Sequence, residues 1–188
     1  MKSVILVTHN KGKLAEANAI AKVFSIRLET PGEVEKLEIQ DKSITRVSEF
    51  SAKQAFEQLR KPLIVDDSGL FVNALKGFPG VYSANVFPEI GMEGIIKLLD
   101  RHVDRSASFQ CSISYYDGKT LKSFVGRVDG TILKARKGER GFGYDPIFAP
   151  DGYDGKSFGE LGEEVKNNVS HRRRALEAFF KWYSDAGK

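Results

Sequence analysis

The sequence predicts an α/β fold on a mixed β-sheet, and three stretches carry that prediction. KSVILVT is a buried apolar strand, and KLAEANAIAKVF after it is a helix with Leu14, Ala17, Ile20 and Ala21 on one stripe. PLIVDDSGL is a second apolar strand, entered at Pro62 and expected to break at Ser68-Gly69, which gives strand–helix alternation. SASFQCSISYY and LKSFVGRV flank Asp117-Gly118, a strong hairpin turn, so the strands of 106–128 are antiparallel and the sheet is mixed.

The elements follow in order. Asn10 is placed to cap the first helix, which puts Lys11 and Lys13 in the first turn against the positive end of the macrodipole. A second helix is expected from Ser43 to Leu59. In the hairpin, Ala107, Phe109, Cys111, Ile113 and Tyr115 take one face while serines and a glutamine take the other. A glycine-rich stretch, GERGFGYDPIF, precedes a last helix from about Ser170 that packs Ala175, Leu176, Phe179, Phe180 and Tyr183 inward. With no repeat, low-complexity tract or linker, residues 1–188 are expected to form one domain, with a lobe at most.

Composition narrows the chemistry. The 29 Lys+Arg against 25 Asp+Glu leave a charge of +4, which suits an anionic ligand but is far from a nucleic-acid-binding tail. A lone cysteine, Cys111, excludes an internal disulfide and a cysteine-rich zinc site, and its strand pattern makes it a small buried apolar residue. The VILV run is too short for a signal segment or a membrane span, so a cytoplasmic location and no membrane partner are expected.

Two phosphate-binding fingerprints fail. DGYDGKS ends like a P-loop, but Pro150 stands where its first glycine belongs. GFGYDP begins like a dinucleotide loop, but Pro146 stands where the third glycine belongs. Three clusters remain. Thr8, Asn10, Lys11 and Lys13 at a helix start would make an anion cradle, or else a solvated helix start capped by Asn10. Asp66 and Asp67 lie where open α/β sheets place ligand chemistry; both face one ion only if the chain turns after Val65, and otherwise they face apart. Glu38 is a weaker candidate acid. KNNVSHRRRAL crowds His171, Arg172, Arg173 and Arg174 at another helix start; at about 100° per residue, one or two arginines at most share a site with His171. The rival reading is a nucleic-acid patch with Phe180 and Trp182 as stacking platforms. Oxygen donors without a Cys/His cluster favour Mg²⁺ or Mn²⁺.

THNKGK, LEIQ, VDDSGL, GFPGVYSA, GFGYDPIF and KNNVSHRRRAL, collinear from Thr8 to Leu176, resemble the inosine/xanthosine triphosphate pyrophosphatases. The resemblance implies an elongated mixed sheet flanked by helices, two lobes with a deep central cleft, a homodimer, Mg²⁺, and hydrolysis of ITP, dITP and XTP to the monophosphate plus pyrophosphate. It implies no direct nucleic-acid binding. It assigns Thr8, His9, Asn10, Lys11, Gly12 and Lys13 to the triphosphate; Glu38, Asp66 and Asp67 to the metal; and Asp67 also to general-base catalysis. Lys53 and Ser68 match substrate contacts, Phe142, Gly143, Tyr144 and Asp145 the base-pocket loop, and Lys166, His171 and Arg172 the group reading the purine 6-keto edge. The sequence departs at His9, where glycine or serine is common, and at Ser48-Glu49, which leaves the role of Glu49 open. Water activated by Asp67 would attack the α-phosphorus, and donors aimed at a 6-oxygen would leave adenine unmatched.

Overall fold

The computed structural model describes residues 2–185. Seven strands form one mixed sheet: β1 (Ser3–Val7), β2 (Arg27–Glu29), β3 (Leu63–Val72), β4 (Pro79–Gly80), β5 (Ser106–Tyr116), β6 (Leu121–Ile132) and β7 (Phe148–Pro150). Their order is β2-β1-β3-β5-β6-β7, with β4 paired to β3 off that path. The β1 pairs with β2 and β3 are parallel, and the β6–β7 pair is antiparallel. The helices are α1 (Lys11–Val23), α2 (Ile44–Leu59), α3 (Ser83–Leu98), α4 (Phe158–Val169) and α5 (His171–Asp185).

The chain forms two compact units, each assembled from separate segments: Met1–Asp67 with Cys111–Gly126 and His171–Lys188, and Ser68–Gln110 with Arg127–Ser170. In the first unit the sheet is buried on both faces. Leu6, Ile64, Cys111 and Ile113 pack with Ala17 and Ile20 of α1 and Leu176, Phe179 and Phe180 of α5. Val7, Leu63 and Val65 pack with Ala52 and Ala55 of α2. Successive residues of a strand therefore serve different helix layers, a period of two that later separates the two aspartates. The polar face expected for β5 is also buried: Ser48 of α2 meets Ser112 and Ser114 at 2.8 and 2.7 Å. Phe180 lies wholly inside this core, so it is not a stacking platform. Cys111 is buried and burial pushes its thiol pKa well up, as its apolar reading requires.

The second unit gathers Leu70, Val72, Phe109, Val128, Ile132, Phe148 and Phe158 with Ile95 and Leu99. Its helices α3 and α4 left no continuous pattern in the sequence because Gly91 (φ 61°) and Gly162 (φ 81°) break each one internally. Ser157 and Glu160 start α4 with a capping box.

The break expected in the second apolar strand is corrected too. β3 runs unbroken from Leu63 to Val72, through Ser68-Gly69. Gly69 is there for space: a Cβ would lie 2.1 Å from the carbonyl oxygen of Gly80 on β4.

Helix α5 is seated on β6 at Gly126, where a Cβ would lie 2.0 Å from the His171 carbonyl oxygen and 2.7 Å from the Ala175 nitrogen. Gly126→Val is expected to lower stability by about 1–3 kcal/mol through overpacking, a fall of roughly 2–12 °C in Tm for a chain of this size. Thermal unfolding followed by circular dichroism checks it.

Candidate active site

The parallel register pairs Val7 with Val65, so β1 ends one residue before Asp66. The Thr8–Asn10 loop therefore leaves the sheet beside the two aspartates, at the carboxyl end of a parallel pair where α/β proteins place ligands. Asn10 caps α1 as expected, its side chain accepting from the Lys13 N–H at 3.0 Å, and its own N–H donates to Thr8 Oγ1 at 3.2 Å. No acid stands in the first turn of α1. The conflict between lysines and helix dipole is met from outside the helix: Lys13 Nζ lies 3.0 Å from Asp66 Oδ1 and donates to the Asp66 carbonyl at 3.2 Å. Lys11, His9 and Asn10 are exposed, and Thr8 and Gly12 half-buried.

Because β3 continues straight, its two aspartates point to opposite faces. Asp66 shares the face of Ile64 and meets α1 and α5: Arg172 Nε donates to its Oδ2 at 2.6 Å. Arg172 Nη1 donates to Glu16 Oε2 at 2.6 Å, which ties β3, α1 and α5 through a guanidinium only 1% exposed. Burial alone would raise the Asp66 pKa, but Arg172 and then Lys13 hold its carboxyl well below the usual range. Of the three arginines, Arg172 is buried, Arg173 half-buried and Arg174 exposed, as the helical spacing requires. His171 is buried beside them.

Asp67 shares the face of Val65 and meets a different cation. Lys36 Nζ hydrogen-bonds Asp67 Oδ1 and lies 2.6 Å from Glu38 Oε1. The segment bearing Lys36 and Glu38 has neither helix nor strand, and α2 holds it from both sides. Gln58 accepts from the Glu35 N–H at 3.0 Å and donates to its carbonyl at 2.8 Å, and Ser51 Oγ donates to the Leu37 carbonyl at 2.6 Å. Asp67 Oδ2 is buried and has no hydrogen-bond partner among the described residues. Burial pushes the Asp67 pKa up, more than Lys36 and Lys13 lower it; burial opposes the Lys36 ammonium too, but Asp67 and Glu38 raise its pKa overall.

The three acids expected at the metal are thus divided. Asp66 is engaged by two cations of the chain, whereas Glu38 and Asp67 already face one another across an ammonium. Among the described residues no three His, Cys, Asp or Glu side chains gather as a ligand set. Glu38 and Asp67 nonetheless suit Mg²⁺, which takes one or two carboxylates and completes its shell with water and phosphate oxygens. The orphaned Oδ2 of Asp67 is a donor atom of that kind.

Lys53 is exposed on α2 and Ser68 half-buried on β3, directly after Asp67. Glu49 accepts from Ser123 Oγ at 2.8 Å, which gives it a structural partner. In the second unit, Asp145 organises the glycine-rich loop: its Oδ2 accepts from the Phe142 N–H at 2.8 Å and from Lys166 Nζ at 2.6 Å. Lys166 Nζ also lies 4.1 Å from the Phe142 ring centroid, a close cation–π contact. Gly141 is required there, since at φ 82° its Cβ would fall 2.2 Å from Asp145 Oδ2. Gly143 also has positive φ, at 60°. Tyr144 is buried with its hydroxyl lacking a partner among the described residues, and burial pushes its pKa up to about 12.

Sequence reasoning missed Glu16 and Lys36. A glutamate in helix α1 and a lysine in a charged loop carry no local mark of burial; only their partners, Arg172 and Asp67, reveal them.

The profile of the Ham1 family matches residues 4–182. A protein of Thermococcus kodakarensis named dITP/XTP pyrophosphatase is 45% identical over 184 residues, 95% of this chain and 96% of its own. Another of that name, from Saccharolobus solfataricus, is 46% identical over 174 residues, 93% of this chain and 90% of its own. Among solved structures, a HAM1 protein from Coxiella burnetii superposes with a TM-score of 0.85 at 28% identity, covering 98% of this chain and 100% of that one. The Staphylococcus aureus Ham1 protein gives 0.83 at 31% identity with the same coverage.

Arg172→Met leaves Asp66 and Glu16 as buried charges without their shared cation, and a loss of about 3–5 kcal/mol is expected. Arg174→Ala, at an exposed position, is expected to stay within about 0.5 kcal/mol of the parent. Urea unfolding of both variants checks the contrast.

Proposed function

Because the chain belongs to the Ham1 family, we propose that it is a nucleoside triphosphate pyrophosphatase that hydrolyses ITP, dITP and XTP to the monophosphate and pyrophosphate. The observation that carries this reading is near-full-length identity to relatives named dITP/XTP pyrophosphatase. The strand-end charges of the first unit supply chemistry that agrees with it. Such hydrolysis keeps non-standard purines out of DNA and RNA.

Asp67 is the general base. Its Oδ2 is buried, has no hydrogen-bond partner among the described residues, and sits on a carboxyl whose proton affinity burial has raised. These are the properties of a group that takes a proton from an attacking water. The Lys13 ammonium and the backbone N–H groups of Lys11 and Gly12 bind phosphate oxygens, since a helix start leaves its first amides without intrahelical acceptors and the Asn10 cap takes that of Lys13. Thr8, His9, Asn10, Lys11 and Gly12 complete that helix-start loop. Arg172 and Glu16 act by fixing Asp66, and through it the position of the Lys13 ammonium. Glu38 and Asp67 would hold Mg²⁺, with Mn²⁺ as a substitute, and the ion supplies charge neutralisation on the pyrophosphate leaving group.

Purine selection falls, on the family resemblance, to Phe142, Gly143, Tyr144, Asp145, Lys166 and His171, with Lys53 and Ser68 as further substrate contacts; Arg172, which the resemblance adds to this group, has its guanidinium engaged by Asp66 and Glu16 and serves the site by holding them. Donors to a 6-oxygen accept hypoxanthine and xanthine, whereas the 6-amino group of adenine leaves them unmatched. The family also supports a homodimer; Phe78, Tyr82 and Ile90 of the second unit are exposed apolar side chains that an association would cover. We place the enzyme in the cytoplasm. No described helix is long and apolar enough to cross a membrane.

Incubation with ITP and Mg²⁺ is expected to yield IMP and pyrophosphate; IDP and orthophosphate would overturn the reading. Asp67→Asn is expected to cut turnover by at least about a hundredfold, measured as pyrophosphate release after the variant's Tm has shown that it folds.

A further inference from the structure

We infer that Lys36 is a resident cation of the metal site, its ammonium holding Glu38 and Asp67 together until a divalent ion takes its place. The inference rests on the reading above that those two carboxylates are where the metal binds. It assigns a role to a residue outside every motif that pointed to function.

The geometry is that of a cation already in position. The ammonium touches one oxygen of each acid, at 2.6 Å from Glu38 Oε1 and hydrogen-bonded to Asp67 Oδ1. Without it, Glu38 and the buried Asp67 would face each other with Lys13 only partly offsetting their like-charge repulsion. A divalent ion bound by the same acids would in turn repel an ammonium left beside it. The two cations are therefore competitors for one pair of ligands.

The surroundings let one leave without disturbing the other parts. The backbone on both sides of Lys36 is anchored to α2, at Glu35 by Gln58 and at Leu37 by Ser51. The side chain itself, 12% exposed, is a four-carbon stem with several rotatable bonds ending in a point charge. Its exit lies toward Glu38, whose side chain is 42% exposed, whereas that of Asp67 is 9% exposed. Glu38 and Asp67 thus stay in place while the ammonium moves out to solvent. Lysine in this position keeps the acids apart in charge when metal is scarce, and it raises the concentration of metal needed to fill the site.

Three measurements on the full chain test this, with Mn²⁺ alone as the probe and no nucleotide. Titration calorimetry of Lys36→Met is expected to give a Mn²⁺ Kd at least about fivefold tighter than that of the parent, the lower end of usual coupling between competing ligands. The metal-free variant should melt lower and gain more in Tm on adding Mn²⁺. In the unmodified protein, Mn²⁺ should speed reductive methylation of Lys36, read by peptide mass spectrometry, relative to the metal-free sample. That labelling readout decides the matter if the variant does not fold. Equal or weaker Mn²⁺ binding by a folded Lys36→Met, or Lys36 labelling unchanged by Mn²⁺, overturns the inference. Pyrophosphate release from ITP is scored separately, so failure here is distinct from failure of the pyrophosphatase reading.

Discussion

A guanidinium sealed from water governs how the first unit is put together. Arg172 is almost wholly buried, and a buried charge persists only where opposite charge and hydrogen bonds surround it. Asp66 from β3 and Glu16 from α1 meet that demand, so a strand and two helices are brought to one point. Gly126 allows the approach by leaving room for the backbone of α5 against β6. Once Asp66 is held in this way, Lys13 finds its partner, and the start of α1 is fixed relative to the sheet.

The balance of charge in that unit has a bearing on its ligand. Lys13, Lys36 and Arg172 face Glu16, Glu38, Asp66 and Asp67: three cations against four carboxylates. The helix start is therefore not the open anion cradle that Lys11 and Lys13 suggest when read alone. Lys13 is already countered by Asp66. The separation of Asp66 from Asp67 follows from strand alternation: one aspartate ties the scaffold together, and its neighbour keeps an oxygen without a hydrogen-bond partner among the described residues.

Much of this was legible from local pattern, and the failures share a cause. Asn10 as a cap, the helix from Ser43 to Leu59, the β5–β6 hairpin around Asp117-Gly118, and the inward face of α5 are written in neighbouring residues. The continuity of β3 through Ser68-Gly69 was not, because Gly69 signals a turn in sequence while serving a close approach from Gly80. The serines of β5 read only as a polar face opposite the apolar one, and nothing local shows that Ser48 on α2 buries and hydrogen-bonds them. Helices α3 and α4 were obscured by glycines inside them. Glu16 and Lys36 escaped notice because a buried charge is defined by what lies opposite it, 156 and 31 residues away in the chain.

The arrangement of the first unit also bears on its birth. Its three segments end at Asp67, resume at Cys111 and finish with the helix that begins at His171. During synthesis the amino-terminal third emerges with Asp66 and Glu16 long before Arg172 exists to meet them. A nascent chain in that condition has a hydrophobic layer without its covering helix and a pair of acids with Lys13 but not the guanidinium they share, so its native packing must await α5. A cut before α5 therefore withdraws the element that lets the beginning fold.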